Sequence, residues 1–280
     1  ASFGALRDNL NEAGAAVLNI ANFYYYEWFA KNNPAYGSFG VYWSLSLEEQ
    51  FYLVLPFLLF FVRTRYLIPV LVAAFFAQVF VSRPDGFDPY HTSLLWFVRT
   101  DALILGVLIA FWKQHWSYRT SEPRFLRHSF VSLPLVGLCI LLLAMIPASR
   151  EAAPVSTGLS AIISGLLVLM ASYDKNYVLQ PSRFKTAMVW LGSRSYSIYL
   201  IHVACHSFVM EFKESVGIAE GSLASIVLTL ACIPIILIVS EANYRFIETR
   251  FRRIGRRMAD NFCLRFNDKR LIQGPQLAAN

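Results

Sequence analysis

The chain has 280 residues, of which 56% are hydrophobic and 15% charged, with a mean hydropathy of +0.46. Soluble domains carry about a quarter charged residues, so this composition excludes an ordinary soluble globular protein and points to a bilayer. The net charge of +7 does not signal nucleic acid as a partner, because the basic residues sit in short segments between apolar runs, where membrane topology accounts for them.

Residues 1–23 mix Arg7, Asp8, Asn11, Glu12, Asn19 and Asn22 with small apolar residues, which makes a poor crossing and reads as a partial span. Residues 24–42, from Tyr24-Tyr25-Tyr26 through Pro34 to Gly40, read as an aromatic interfacial loop. Apolar runs follow at 47–62, 66–81, 94–112, 131–147, 157–173, 187–209 and 223–241. Each approaches the roughly 20 residues that cross a hydrocarbon core. The expected fold is therefore all-α, a polytopic transmembrane helix bundle of about seven full spans plus a partial N-terminal one. The membrane domain is expected over 1–258 and a flexible cytoplasmic tail over 259–280.

Lys and Arg set orientation. Arg63 and Arg65, then Lys113 to Arg127, then Lys175 to Lys185, then Arg245 to Arg257 fall on one side; the segments between hold Arg83 and Arg99, then Arg150, then Lys213, offset by Asp85, Asp88, Glu151, Glu211, Glu214 and Glu220. The C-terminus is expected in the cytoplasm, and the Trp43 stretch at the outer face of a plasma (inner) membrane. Cys139, Cys205, Cys232 and Cys263 are scattered without ligand spacing or a disulfide framework.

Four polar constellations interrupt the apolar runs. The first is Trp43-Ser44-Leu45-Ser46-Leu47-Glu48-Glu49-Gln50-Phe51-Tyr52, two adjacent carboxylates at the mouth of a span. Unpaired carboxylates are costly there, so such residues are paired or functional. Ser46 and Glu49 have capping-box spacing, whereas Glu48 points about 100° away, toward the face of Ser44 and Tyr52. The second is Arg99-Thr100-Asp101. Residues two apart on a helix do not face each other, so at least one needs a partner elsewhere; the plainer reading is a snorkelling Arg99 and a capping Asp101. The third is Ser195-Tyr196-Ser197-Ile198-Tyr199-Leu200-Ile201-His202. His202 and His206 are four apart on one face but lack a third ligand at metal spacing, so no metal is expected, and hydrogen bonding to a neighbouring helix is the plainer role. The fourth is Glu241, Arg245, Glu248 and Arg252, one stripe that alone reads as a salt-bridged helix face.

Together the Trp43–Pro56 string, the Arg99-x-Asp101-x-Leu103-x-x-Gly106 segment, the Ser-Tyr-Ser-x-Tyr-Leu-x-His run and Tyr244-Arg245-x-x-Glu248-x-x-Phe251 resemble the acyltransferase-3 family of integral membrane enzymes. Arg250 stands where that family has Pro. The resemblance implies transfer of an acyl group, commonly acetyl, from acyl-CoA (acetyl-CoA, a substrate, with no bound cofactor) to a hydroxyl of a glycan or lipid-linked acceptor among membrane lipids. It implies Glu48, Asp101, Arg99 and Glu248 as catalytic-site residues, and Trp43, Ser46, Tyr52, Tyr196, His202 and Arg245 as substrate-binding ones. Family members also carry a catalytic His on an early span and an Arg-rich donor motif; residues 1–42 hold no His and one Arg, Arg7, so the chain is expected to be an N-terminally shortened member. His91 does not occupy the motif position. A secondary transporter and a non-catalytic membrane remnant are the rival readings; the absence of paired broken helices in two halves weighs against the transporter.

Overall fold

The computed structural model describes residues 6–31, 40–80, 93–146, 156–173, 175–177, 179, 181–219 and 221–273. Every regular element among the described residues is helical. In chain order they are α1 (Leu6–Val17), α2 (Ala21–Ala30), α3 (Tyr42–Phe61), α4 (Thr64–Phe80), α5 (Leu94–Phe97), α6 (Asp101–Gln114), α7 (Trp116–Thr120), a 3-10 turn (Arg124–Arg127), α8 (Ser129–Met145), α9 (Ser156–Ser172), α10 (Arg183–Ser193), α11 (Ser195–Ser215), α12 (Leu223–Asn243), a π-helical turn (Tyr244–Glu248) and α13 (Thr249–Gln273).

Helix is found in all seven apolar runs, but among the described residues only Tyr42–Phe61, Leu94–Gln114 and Leu223–Phe262 are helices both long and apolar enough to cross a membrane. The helices Thr64–Phe80, Phe130–Met145 and Ser156–Ser172 are apolar but shorter. Seventeen residues rise about 25 Å, just under the roughly 30 Å of hydrocarbon. Polar ends thin α11, where Glu211, Lys213 and Glu214 fall in its last turns. Pro56, Pro69, Pro134 and Pro234 lie inside apolar helices, as bilayer helices tolerate. α13 carries helix to Gln273, into the segment expected as a flexible tail.

Several local structures are set by packing or by backbone conformation that hydropathy does not register. Tyr24, Tyr25 and Tyr26 lie in a helix, α2, rather than a loop, because Tyr25 and Phe29, four apart, are 1% and 2% exposed and pack with Phe97. α1 ends where Asn19 takes a left-handed φ of 55°, with Ile20 N–H bonding Ala15 O at 2.9 Å and Asn19 N–H bonding Ala16 O at 3.1 Å. That is a Schellman-type stop, and Asn is among the few residues that accept its backbone. The 94–112 run breaks before Thr100 (φ −123°, ψ 11°), and the 187–209 run breaks at Arg194 (φ −106°, ψ 2°).

The chain forms two compact units, Ala1–Val189 and Trp190–Asn280. In the first, α2 packs on α3 and α5, α4 on α6, and α9 on α4, α6 and α8. Leu67, Leu71, Phe75 and Val79 give α4 a buried row at i, i+4 spacing against Ile104 of α6. The close approaches are made by glycines: a Cβ at Gly158 would stand 2.8 Å from the Val79 backbone, and one at Gly165 would meet Leu105 Cδ2. Small residues that let backbones approach are the usual means of helix association in lipid. In the second unit α11 packs along α12, and the π turn joins α12 to α13.

Candidate functional site

In the first unit the site residues gather around the N-terminal half of α3. Ser46 is the first surprise. α3 starts at Tyr42 with Val41 as its cap and no side-chain capping bond, so Ser46 and Glu49 form no capping box. Instead the Ser46 hydroxyl, 1% exposed, accepts the Ala21 N–H at 3.2 Å. That bond satisfies one of the orphan donors at the start of α2 from another helix. One turn on, Gln50 Nε2 donates to Asn22 Oδ1 at 2.9 Å and to Asn19 O at 2.7 Å, while Asn22 Nδ2 donates to Gln50 Oε1 at 3.2 Å and Phe97 O at 3.3 Å. Asn22 is completely buried, and its amide fastens α2 to α3 and α5.

Trp43 and Arg99 meet. The Arg99 guanidinium lies 4.6 Å from the Trp96 ring and 5.9 Å from that of Trp43, which itself stands edge-on to Phe97 at 5.4 Å. Arg99 precedes α6 and is not helical, so the helical objection to its facing Asp101 does not apply here. Asp101 is 4% exposed and opens α6, its Oδ1 accepting the Ala102 N–H at 3.1 Å, where a helix N-terminus favours an acid. Thr100 is held from α4: its N–H donates to Gln78 Oε1 at 2.8 Å, and Gln78 Nε2 donates to its hydroxyl at 3.0 Å. Glu48 is half-buried, Glu49 exposed, and Tyr52 53% exposed. Among the described residues neither Glu48 nor Tyr52 makes a side-chain hydrogen bond or ion pair. Of the tyrosine cluster, Tyr25 is buried, and Tyr24 stacks on Trp28 at 6.0 Å. Burial first, then the charges of Glu12 and Asp8, push the Tyr24 phenol upward, so it stays a neutral donor.

The second unit holds a separate polar set. Ser197, fully buried on α11, donates to Glu248 Oε2 at 2.6 Å and accepts from Asn243 Nδ2 at 2.9 Å. Arg252 pairs with the other Glu248 oxygen at 3.0 Å. The π turn shapes this arrangement: Thr249 donates from both its backbone N–H and its hydroxyl to the Tyr244 carbonyl, the latter at 2.6 Å, closing one wide turn. Such single π turns are often found at functional sites. A second carboxylate, Glu241, is clamped by Arg194 through Nε at 2.7 Å and Nη2 at 3.3 Å, and by the Arg245 guanidinium. Arg194 is in turn held 4.7 Å from the Trp190 ring and 4.4 Å from that of Tyr244. His202 bonds its own helix rather than a neighbouring one. Its Nδ1 lies 2.7 Å from Tyr199 O and 3.3 Å from Ile198 O. Carbonyls only accept, so Nδ1 carries the proton. Tyr196 is 42% exposed.

The structure thus joins Trp43 to Arg99 in one unit, and Glu248 to Ser197 and Arg245 to Glu241 in the other. His91 lies outside the described residues. Sequence reading passed over Asn22, Gln50, Asn243 and Arg194 as site builders. Arg194 carried a signal, a lone charge inside an apolar run; Asn22 and Asn243 looked like ordinary polar residues at span ends.

Comparison with known proteins accords with the motifs. The family model described as an acyltransferase domain matches residues 13–241. The peptidoglycan O-acetyltransferase OatA of Listeria monocytogenes (serovar 1/2a, strain EGD-e) is 29% identical over 276 residues, covering 89% of this chain and 42% of the relative. The O-acetyltransferase OatA of Staphylococcus aureus (strain NCTC 8325) is 24% identical over 262 residues, 87% of this chain and 41% of the relative. A protein of S. aureus strain COL, provisionally named an O-acetyltransferase, is 28% identical over 262 residues, with 86% and 41% covered. The chain therefore spans less than half the length of these relatives. No solved structure matches it. With the family model covering most of the chain and the four motifs lying in order from Trp43 to Phe251, the chain belongs to the acyltransferase-3 family.

Proposed function

We propose that this chain is the membrane part of an O-acyltransferase that moves an acetyl group from cytoplasmic acetyl-CoA to a hydroxyl of a cell-envelope glycan. The family match over residues 13–241 carries the reading, and the names of the relatives supply the acyl group and the acceptor class. Acyl transfer to an alcohol needs a base to take the hydroxyl proton and donors or cations where negative charge grows on the attacked carbonyl. In the first unit, Arg99 is the anion-binding group, fixed by its two tryptophans. Trp43 and Tyr52 are the aromatic surface for a sugar ring, and Glu48 and Asp101 are the carboxylates that orient or relay protons. Ser46 holds α2 in register with α3. In the second unit, Glu248 is held by Ser197 and Arg252, Arg245 is spoken for by Glu241, and His202 and Tyr196 lie along α11; these are the remaining candidates for substrate contact.

The protein is integral to the plasma (inner) membrane with its C-terminus in the cytoplasm, so an acyl group drawn from acyl-CoA must pass to the other face. Deletion of the gene is expected to remove acetyl-sized masses from envelope glycans, read by mass spectrometry. Complementation by the full-length protein restores them, and complementation by its Glu48→Gln variant at equal membrane abundance does not. Unchanged glycan masses on deletion sink the acceptor assignment; full rescue by Glu48→Gln sinks the role of Glu48. Substrate flux without an acylated product would favour a transporter.

A further inference from the structure

Arg99 sits on a short bridge between two helices, and side chains from two other helices tie down both ends of that bridge. Val98 (φ −118°, ψ 16°) and Thr100 (φ −123°, ψ 11°) flank Arg99 between the last residue of α5, Phe97, and the first of α6, Asp101. The break falls within Leu94–Gln114, a stretch long and apolar enough to cross a membrane. An unbroken helix would join the Thr100 N–H to Trp96 O and the Asp101 N–H to Phe97 O. Here two of those backbone groups turn to side-chain amides instead. The Thr100 N–H donates to Gln78 Oε1 of α4 at 2.8 Å, and Phe97 O accepts from Asn22 Nδ2 of α2 at 3.3 Å. Gln78 Nε2 also donates to the Thr100 hydroxyl at 3.0 Å, so one amide holds both polar groups of that residue.

Gln78 is the one polar residue among positions 67–80, an amide set into an otherwise apolar stretch of α4. Non-helical backbone at membrane depth persists only where protein or water meets its polar groups, and Gln78 meets them. It does so beside a cation: the Arg99 guanidinium lies 4.6 Å from the Trp96 ring and 5.9 Å from that of Trp43. We propose that Gln78 is a positioning residue for acyl transfer. With Asn22 at the other end it fixes the Val98–Thr100 bridge, so that Arg99 is already in place where negative charge grows on the attacked carbonyl. This role rests on Arg99 being the group that meets that charge. A cation held in place beforehand needs no reorganisation when the charge appears, so its benefit falls on the transition state more than on substrate binding.

The test uses the full-length protein in nanodiscs, which expose both faces, with acetyl-CoA as donor and envelope glycan from the deletion strain as acceptor; glycan-dependent release of the CoA thiol is measured. Gln78→Met fills similar space without an amide. It is expected to lower kcat about 100-fold, the scale of a misplaced catalytic group, with KM for acetyl-CoA close to the wild-type value and helix content unchanged. Gln78→Glu, whose oxygens accept both the Thr100 N–H and its hydroxyl, is expected to bring kcat back to within several-fold of wild type. A second measurement needs no activity. In protein labelled with fluorinated tryptophan, the fluorine resonances of Trp43 and Trp96, assigned through Trp43→Phe and Trp96→Phe, are expected to shift in Gln78→Met as they do in Arg99→Gln, and to return in Gln78→Glu. Unmoved resonances in Gln78→Met overturn the proposal. So does an unchanged kcat, or a Gln78→Glu variant as impaired as Gln78→Met. If the wild type releases no CoA, the acyltransferase reading itself fails, while the fluorine spectra still decide whether Gln78 holds Arg99. Should Gln78→Met not fold, Thr100→Val, which removes the hydroxyl half of the contact, is read by the same two measurements.

Discussion

Ser197 and Glu248 show how one buried hydroxyl can hold a charge. A carboxylate buried in a helix packing surface is costly unless hydrogen-bonded, and Glu248, 7% exposed, accepts the Ser197 hydroxyl on Oε2, while Oε1 takes no hydrogen bond and has the Arg252 guanidinium at ion-pair distance, 3.0 Å. Ser197→Ala removes a charge-assisted bond and leaves Asn243 without its acceptor, so it is expected to destabilise the protein by about 1–3 kcal/mol. Glu248→Gln keeps an acceptor for Ser197 and loses mainly the pairing with Arg252, whose side chain is 67% exposed; screening makes such a pair worth about 1 kcal/mol or less. The two variants therefore separate structure from chemistry. Thermal unfolding in detergent should show a lower midpoint for Ser197→Ala and a near-normal one for Glu248→Gln. If Glu248 takes part in transfer, only Glu248→Gln loses acetylation at near-normal stability. A normal unfolding midpoint for Ser197→Ala would mean that the bond carries no net weight.

At the scale of elements, the bundle of the first unit depends on how closely α9 can approach its neighbours. Gly158 lies where an added Cβ would meet Val79 Cα and O at 2.8 Å, backbone atoms that move only with the helix. Gly165 meets Leu105 Cδ2, the far end of a side chain, though Leu105 Cγ also lies at 3.0 Å. Gly158→Ala is accordingly expected to cost about 1–3 kcal/mol by forcing α4 and α9 apart, with Gly165→Ala costing less. Detergent unfolding of the two variants side by side checks the order; equal midpoints would argue against the α4–α9 approach.

These contacts also mark what the sequence could and could not tell. Apolar length located the long apolar helices, because burial of backbone in lipid demands helix wherever the run is long enough, but it could not find the polar α13, which runs into the stretch expected as a tail. Hydropathy is blind to the bends at Thr100 and Arg194, which change φ and ψ without changing polarity. The helix α2 was hidden because tyrosines beside asparagines resemble a loop until Phe97, distant in sequence, covers Tyr25 and Phe29. Ser46 looked like a cap for the same reason: its actual partner, the Ala21 N–H, belongs to another helix. Trp43 and Arg99 were marked as site residues, yet their contact arises from tertiary packing, as does the Ser197–Glu248 bond across 51 positions.

For the whole molecule, the decisive quantity is the side of the membrane on which its charges rest. Arg and Lys within short loops resist translocation, and the bias is counted over residues near span ends rather than by net charge. The segment after α12 carries Arg245, Arg250, Arg252, Arg253, Arg256 and Arg257, and the last turn of α6 with the segment after it carries Lys113, Arg119, Arg124 and Arg127. The stretch 147–155 between α8 and α9 carries one base, Arg150, against Glu151. The same asymmetry predicts one orientation throughout: α12 ends in the cytoplasm, and 147–155 faces out. A green fluorescent protein fused after Asn280 should fluoresce, and alkaline phosphatase fused after Arg150 should be active, with the inverse pair silent. The reverse pattern would place the Trp43–Arg99 contact at the cytoplasmic face, on the side of acetyl-CoA instead of the glycan. It would turn the proposed sugar surface into a donor surface, so the reporter result constrains the chemistry as well as the topology.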